Sequence, residues 1–128
     1  MNELYNSFQK YFEIVIADTD ELRQDVYKVR YKVLCVEERI PGFDPSFYPD
    51  GLEKDDYDSH SIHALLRFRS SGDFIGTVRL ILFNPSQPEK LFPVEQNTQF
   101  NAEFYNTGNF QRQHTAEVSR FVVVNRFN

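Results

Sequence analysis

Residues 61–83 run SIHALLRFRSSGDFIGTVRLILF, and how they are read decides the fold. Two apolar runs, Ser61 to Arg69 and Phe74 to Phe83, have the length and β-branched or aromatic content of strands. They flank Ser70-Ser71-Gly72-Asp73, a short loop containing the glycine that hairpin turns use. The stretch is therefore a β-hairpin. Arg79 stands inside its second strand, between Val78 and Leu80. A guanidinium keeps its charge at any ordinary pH, so burial in such a strand demands an anionic partner. The nearest supply is Glu53, Asp55, Asp56 and Asp58, just before the hairpin. A structural ion pair tying that loop to the sheet and a catalytic network both fit the pattern.

Upstream, Tyr11 to Ala17 reads as a strand. Asp18 followed by Glu21 has the spacing of a capping box. Leu22, Val26, Val29, Val33 and Val36 then recur at four, three, four and three, one face of a helix of about eighteen residues. Pro41-Gly42 ends it. Arg23, Tyr27, Arg30 and Leu34 form a stripe beside the apolar face, for which a solvated Arg30 is the usual expectation. The loop 41–60 contains Pro45, Pro49 and Gly51 among six acidic side chains, and a loop of that length generally has a functional reason.

Downstream, the segment 84–115 is irregular, with one short helix expected around Val94 to Tyr105. Ala116 to Val124 is a last strand. On it Glu117 and Ser119 share a face, and Arg120 points to the other unless a bulge intervenes. Charges entering an otherwise apolar strand mark a site at its beginning or a salt bridge at the edge of the core. The element order predicts a single α/β domain over residues 1–128, with a mixed, mostly antiparallel sheet flanked by helices. Such a sheet needs helices on both faces and one helix is evident, so the expectation is a domain truncated after its fourth strand.

Composition narrows the function. With 41% hydrophobic and 16% aromatic residues the chain is not a disordered one. The formal charge of −5 disfavours a general nucleic-acid surface, which needs a basic stripe. No apolar run reaches the eighteen residues of a membrane span, and the N-terminus has no secretory pattern. A lone Cys35 allows no intrachain disulfide and fits a reducing, cytoplasmic setting. With Glu37 and Glu38 nearby, Cys35 reads as a packed cysteine rather than a nucleophile. His60 and His63 lie three apart, so on a strand they face opposite ways and make no metal pair; no metal site is expected.

Taken in order, four blocks resemble a known family. Val29-Arg30-Tyr31-Lys32-Val33 looks like the arginine helix of acyl-homoserine-lactone (autoinducer) synthases. Glu53-Lys54-Asp55-Asp56-Tyr57-Asp58 resembles their E-x-D-x-x-D motif, Gly76-Thr77-Val78-Arg79-Leu80 their arginine strand, and Glu117-Val118-Ser119-Arg120-Phe121 their E-x-S-R-F strand. Tyr48-Pro49-Asp50-Gly51-Leu52-Glu53 and Ser61-Ile62-His63-Ala64-Leu65-Leu66 are similar to the PEP-CTERM/exosortase system-associated acyltransferases, and N-acyl amino acid synthases are similar at the same level. The chain departs from the pattern at Leu34 and Ile40, where aromatic residues stand in the family.

The resemblance implies the N-terminal part of a GNAT-fold acyltransferase that moves a long fatty acyl group to an amine or amino-acid-like acceptor. The donor would be an acyl carrier protein (phosphopantetheine thioester) or acyl-CoA, with no tightly bound cofactor. Glu53 would be the base and Glu117 the second candidate, with Arg30, Asp55, Asp58, Arg79, Ser119 and Arg120 forming the site network. The thioester side would lie beyond Asn128. A non-catalytic GNAT-like binding module and an ordinary acetyl-CoA N-acetyltransferase are the alternatives.

Overall fold

The computed structural model of the chain describes residues 2–97 and 111–127. It opens with a helix that the sequence reading does not predict, α1 (Glu3–Tyr11), capped by the Asn2 side chain, which accepts the Tyr5 N–H at 3.0 Å. Its signal was present in Leu4, Phe8 and Tyr11 at spacings of four and three, but it buries no residue, so the apolar stripe is thin. Phe8 stacks on Phe12 at 5.5 Å, where the chain passes directly into β1 (Phe12–Ile16).

The main helix, α2 (Asp20–Tyr31), is capped one residue later than the capping-box spacing suggests: Thr19, not Asp18, accepts the Leu22 N–H, at 3.1 Å. Asp18 N–H is instead spent on the Ile16 carbonyl at the end of β1. Past Tyr31 the helix widens into a π-helical turn over Lys32–Glu37, with Glu38 N–H reaching back five residues to the Val33 carbonyl. The extra residue in that turn changes the facing of its neighbours, so Cys35 is buried and Val36, expected on the apolar face, is half exposed.

The loop 41–60 contains only two 3-10 turns, Pro45–Phe47 and Asp58–His60. The hairpin then forms as its sequence demands, β2 (Ser61–Phe68) and β3 (Phe74–Ile81), with Gly72 left-handed at φ +80 in the turn. A short helix, α3 (Pro93–Asn97), overlaps the start of the helix expected from Val94 to Tyr105, whose remainder lies outside the described residues. The last strand is β4 (Glu117–Val123). The strands are ordered β1-β2-β3-β4 and each pairing is antiparallel. The helix-flanked α/β architecture expected from the sequence is present, with a sheet that among the described residues is antiparallel throughout rather than mixed.

One face of the sheet is covered by α2 and the π-helical turn that follows it, with Val26, Val29 and Val33 packed on Leu65, Ile75, Val122 and Val124. Each such side chain contributes roughly 1.5–3 kcal/mol by leaving water. Gly76 lets β4 close on β3, because a Cβ there would sit 2.9 Å from the Val122 carbonyl oxygen. Beyond that contact the ladder slips between Thr77 and Arg79, and Arg120 opposite is left-handed at φ +53. The slip is a β-bulge, and it settles where Arg120 points.

Candidate active site

The bulge turns Ser119 and Arg120 to the same side of the sheet, the side that α2 covers, while Phe121 is thrown to the other and is 75% exposed. On that side three guanidinium groups meet three carboxylates, a cluster with no formal net charge. Arg30, fully buried on α2, donates from Nε to Glu53 Oε1 at 2.8 Å and bidentately to Asp58 at 2.7 and 3.0 Å. The expectation of a solvated Arg30 is thus overturned. A helix stripe shows which residues are neighbours, and it cannot show that a loop 23 residues on will fold over them.

Arg79, also fully buried, meets the requirement for an anionic partner: Nη1 donates to Asp55 at 2.6 Å and Asp58 at 3.1 Å, and Nε to Ser119 Oγ at 3.0 Å. Arg120 completes the cluster from β4, with Nε on Glu53 Oε1 at 2.9 Å and Nη2 on Asp55 Oδ2 at 3.1 Å. The loop is cross-braced within itself, because Asp58 Oδ2 accepts the Asp55 N–H at 2.8 Å. Seven of the eight residues singled out in the sequence therefore come together. The eighth, Glu117, lies on the same face one residue pair along the strand, where Oε1 accepts the Val94 N–H at 2.8 Å, and it joins none of the three arginines.

The electrostatics follow from burial and pairing. Burial opposes the charge on Arg30, yet the hydrogen bonds and charges of Asp58 and Glu53 outweigh it and raise the pKa above its ordinary value. For Asp58, burial acts upward, but the Arg30 hydrogen bonds and charge, the Asp55 amide and Arg79 together lower the pKa to about 2. Glu53 Oε2 and Arg79 Nη2 are buried without a hydrogen-bond partner.

A residue absent from the sequence-level set, His63, sits directly across the ladder from Arg79. It is 2% exposed, edge-on to the Tyr27 ring, with Nε2 3.6 Å from Asp58 Oδ1 and neither ring nitrogen hydrogen-bonded. Burial lowers its pKa first; Asp58 opposes that and Arg30 and Arg79 add to it. The unfolded chain, with an ordinary histidine near pH 6.5, then binds a proton that the folded state refuses, so stability falls as pH drops below about 6.5. Asp58 adds a second loss nearer pH 4 to 2, because its folded pKa is the lower one. Urea midpoints taken from pH 7.5 to 5 are expected to decline in the wild type and to decline less in His63→Leu. Parallel declines would show that His63 does not carry the acid sensitivity above pH 5.

Beside the cluster opens a pocket of about 590 Å³ whose walls include Tyr31, Cys35, Arg39, Ile40, Phe43 and Asp44. The Arg120 guanidinium lies 4.8 Å over the ring of Phe43, one of the wall residues. Cys35 is buried, and burial, then Glu53, raises its thiol pKa, against a role as nucleophile. Ile40 is shared with a groove of about 300 Å³ that Glu38 and Phe121 also line, and that groove shares Phe121 to Val123 with an apolar one of about 200 Å³ on the outer face of the sheet. Of the walls, Ile40 is the position where the sequence departs from the family pattern, whereas Arg39, Phe43 and Asp44 lie in a loop without periodicity and carry no signal of a site.

A family model described as acetyltransferase (GNAT) domain matches residues 22–128. No curated protein and no solved structure matches the chain at a significant level. Among the described residues, no helix is long and apolar enough to cross a membrane.

Proposed function

Because the chain belongs to the acetyltransferase (GNAT) domain family, we propose that it joins a long-chain fatty acyl group, delivered as a thioester of CoA or of an acyl carrier protein, to an amine bound beside Glu53 and Arg120. The acyltransferase chemistry and the CoA-type thioester come with the family. The long chain, the carrier protein and kinship with autoinducer synthases, N-acyl amino acid synthases and the PEP-CTERM/exosortase-associated enzymes are the finer part of the proposal.

The observation that carries it is the bulge at Arg120, which completes the arginine–carboxylate cluster and lays the Arg120 guanidinium on Phe43, a wall residue of an open pocket. In aminolysis the neutral amine nitrogen attacks the thioester carbonyl carbon, the carbon–sulfur bond breaks, and the amine proton must pass to a base. Glu53 is assigned that role through its unpartnered Oε2, with a water as relay, since the carboxylate itself is fully buried. The thiolate leaves and takes up a proton to give the free thiol. Backbone N–H groups at the bulge, where the ladder is interrupted, are assigned to the developing oxyanion. Arg30, Arg79, Asp55, Asp58 and Ser119 position the loop and β4 rather than touch substrate.

The apolar groove on the outer face of the sheet, walled by Ile14, Leu66, Val78 and Phe121, supports the long chain, because an acetyl group needs no such wall. The test incubates the full-length protein with acetyl, octanoyl and palmitoyl thioesters, each on CoA and on carrier protein, together with an amine panel, and reads products by mass. Amides of the longer acyl groups are expected to dominate by at least tenfold. Transfer of acetyl alone would give the site to the short-chain alternative, and no transfer at all would favour a binding module.

A further inference from the structure

His63 is a histidine at a place where the fold makes no bond to it. It stands on β2 directly opposite Arg79 of β3, 2% exposed, with both ring nitrogens buried and unpartnered. An apolar side chain of similar size would fill the space without desolvating two nitrogens. The groups that face the ring are Tyr27 and Arg30 from α2, Asp58 from the loop and Arg79 from β3. The β1 side supplies the uncharged Ala17, whose N–H donates to the His63 carbonyl at 2.9 Å. Among the described residues, the ring's one carboxylate neighbour is Asp58, with Oδ1 3.6 Å from Nε2.

Asp58 has no place for another donor. Its Oδ1 accepts Arg30 Nη1 at 2.7 Å and Arg79 Nη1 at 3.1 Å. Its Oδ2 accepts Arg30 Nη2 at 3.0 Å and the Asp55 N–H at 2.8 Å. A carboxylate offers about four lone-pair positions, so all are taken. The surrounding charges are balanced as well, Arg30, Arg79 and Arg120 against Glu53, Asp55 and Asp58. A proton on His63 must therefore displace a donor from Oδ1. Arg30 grips Asp58 by two bonds and Glu53 by a third. Arg79 reaches Asp58 by one, the longest of these, and has Asp55 at 2.6 Å to fall back on. Arg79 is the donor that yields. Its Nε also holds Ser119 Oγ at 3.0 Å, and it shares Asp55 with Arg120, so its movement reaches the β4 bulge by two routes.

We propose that His63 is an acid-sensing switch: neutral, it leaves Asp58 to both arginines; protonated, it takes Oδ1, drives Arg79 onto Asp55 and unseats Ser119 and Arg120. The device holds whatever reaction proceeds beside Arg120. Burial favours the neutral ring, which puts the transition below the ordinary histidine value of 6.5.

The experiment follows the full chain by nitrogen-15 NMR from pH 8 to 5. It reads the ring nitrogens of His63, the Nε–H of Arg79 and the backbone N–H groups of Ser119 and Arg120, with Gly72 in the hairpin turn as control. The Arg79, Ser119 and Arg120 signals are expected to move with the His63 midpoint while Gly72 stays in place. In His63→Leu the same three signals are expected to hold still. Ser119→Ala releases Arg79 from β4, so Arg79 should yield more readily and the His63 midpoint should rise by about half a pH unit, a threefold gain in proton affinity. Protonation of His63 without movement at Arg79, Ser119 and Arg120 would overturn the proposal. So would the same movement in His63→Leu, or an unchanged midpoint in Ser119→Ala. Loss of every signal in one step as His63 takes up its proton would reduce it to a determinant of global stability and overturn the switch. If His63→Leu does not fold, the wild-type titration and Ser119→Ala decide the question.

Discussion

Arg30→Ala is expected to destabilise the protein by about 3–5 kcal/mol, the range for removing one partner of a buried ion pair. Arg30 is the side chain that joins Glu53 and Asp58, and it is fully buried with both. Its loss leaves three carboxylates facing two arginines, with Glu53 and Asp58 still buried, and it leaves a cavity under the loop. A single domain typically holds 5–15 kcal/mol in all, so the effect should be plain in a urea melt at pH 7. Arg30→Lys keeps the charge and loses the fork that grips Asp58 at two points, so its midpoint should fall between wild type and alanine. A midpoint for Arg30→Ala within measurement error of wild type would show that the loop is held by something other than this cluster. The same logic applies to Arg79, where Asp55, Asp58 and Ser119 would lose their common donor.

Glu53→Gln is the second substitution with a large expected effect, and it acts on rate. The amide keeps the shape of the side chain and one oxygen for the two arginine Nε donors, but it cannot accept a proton at neutral pH. Loss of a general base costs roughly 10²–10⁴ in rate, and a relay water left in place recovers part of that, so the expected fall in acyl transfer is at least tenfold. The change also leaves the cluster with one surplus positive charge, for which a stability loss of about 1–3 kcal/mol is expected. A urea melt on the same sample separates the two effects. A near-wild-type rate would remove Glu53 as base, and a large loss in Glu117→Gln instead would move the role to Glu117, whose carboxylate now holds the Val94 amide.

The hairpin, the last strand and the main helix were legible because their signals are local. Turn chemistry at Ser70 to Asp73, the apolar runs of β2 and β3, and the four-three spacing from Leu22 to Val33 all act within a few residues. Errors arose where a local signal had competitors. Asp18 and Thr19 both qualify as caps, and only the closing geometry of the first turn selects Thr19. The spacing from Val33 to Val36 assumes 3.6 residues per turn, which the π-helical turn does not keep.

The site divides in the same way. That Arg79 needs an anion follows from sequence alone, because a charge inside an apolar strand has no other means of staying there. Sequence likewise supplies the acidic loop that can provide one. Which charges meet is a tertiary decision. Arg30 finds its carboxylates 23 and 28 residues away, and Arg120 reaches Glu53 across 67. Such contacts depend on how a loop folds over a helix and on a single bulge that reverses the facing of one strand residue. Nothing within a few residues of Arg120 encodes that reversal. It arises from the fit of β4 against β3, where Gly76 admits the Val122 carbonyl and the ladder slips just beyond, between Thr77 and Arg79.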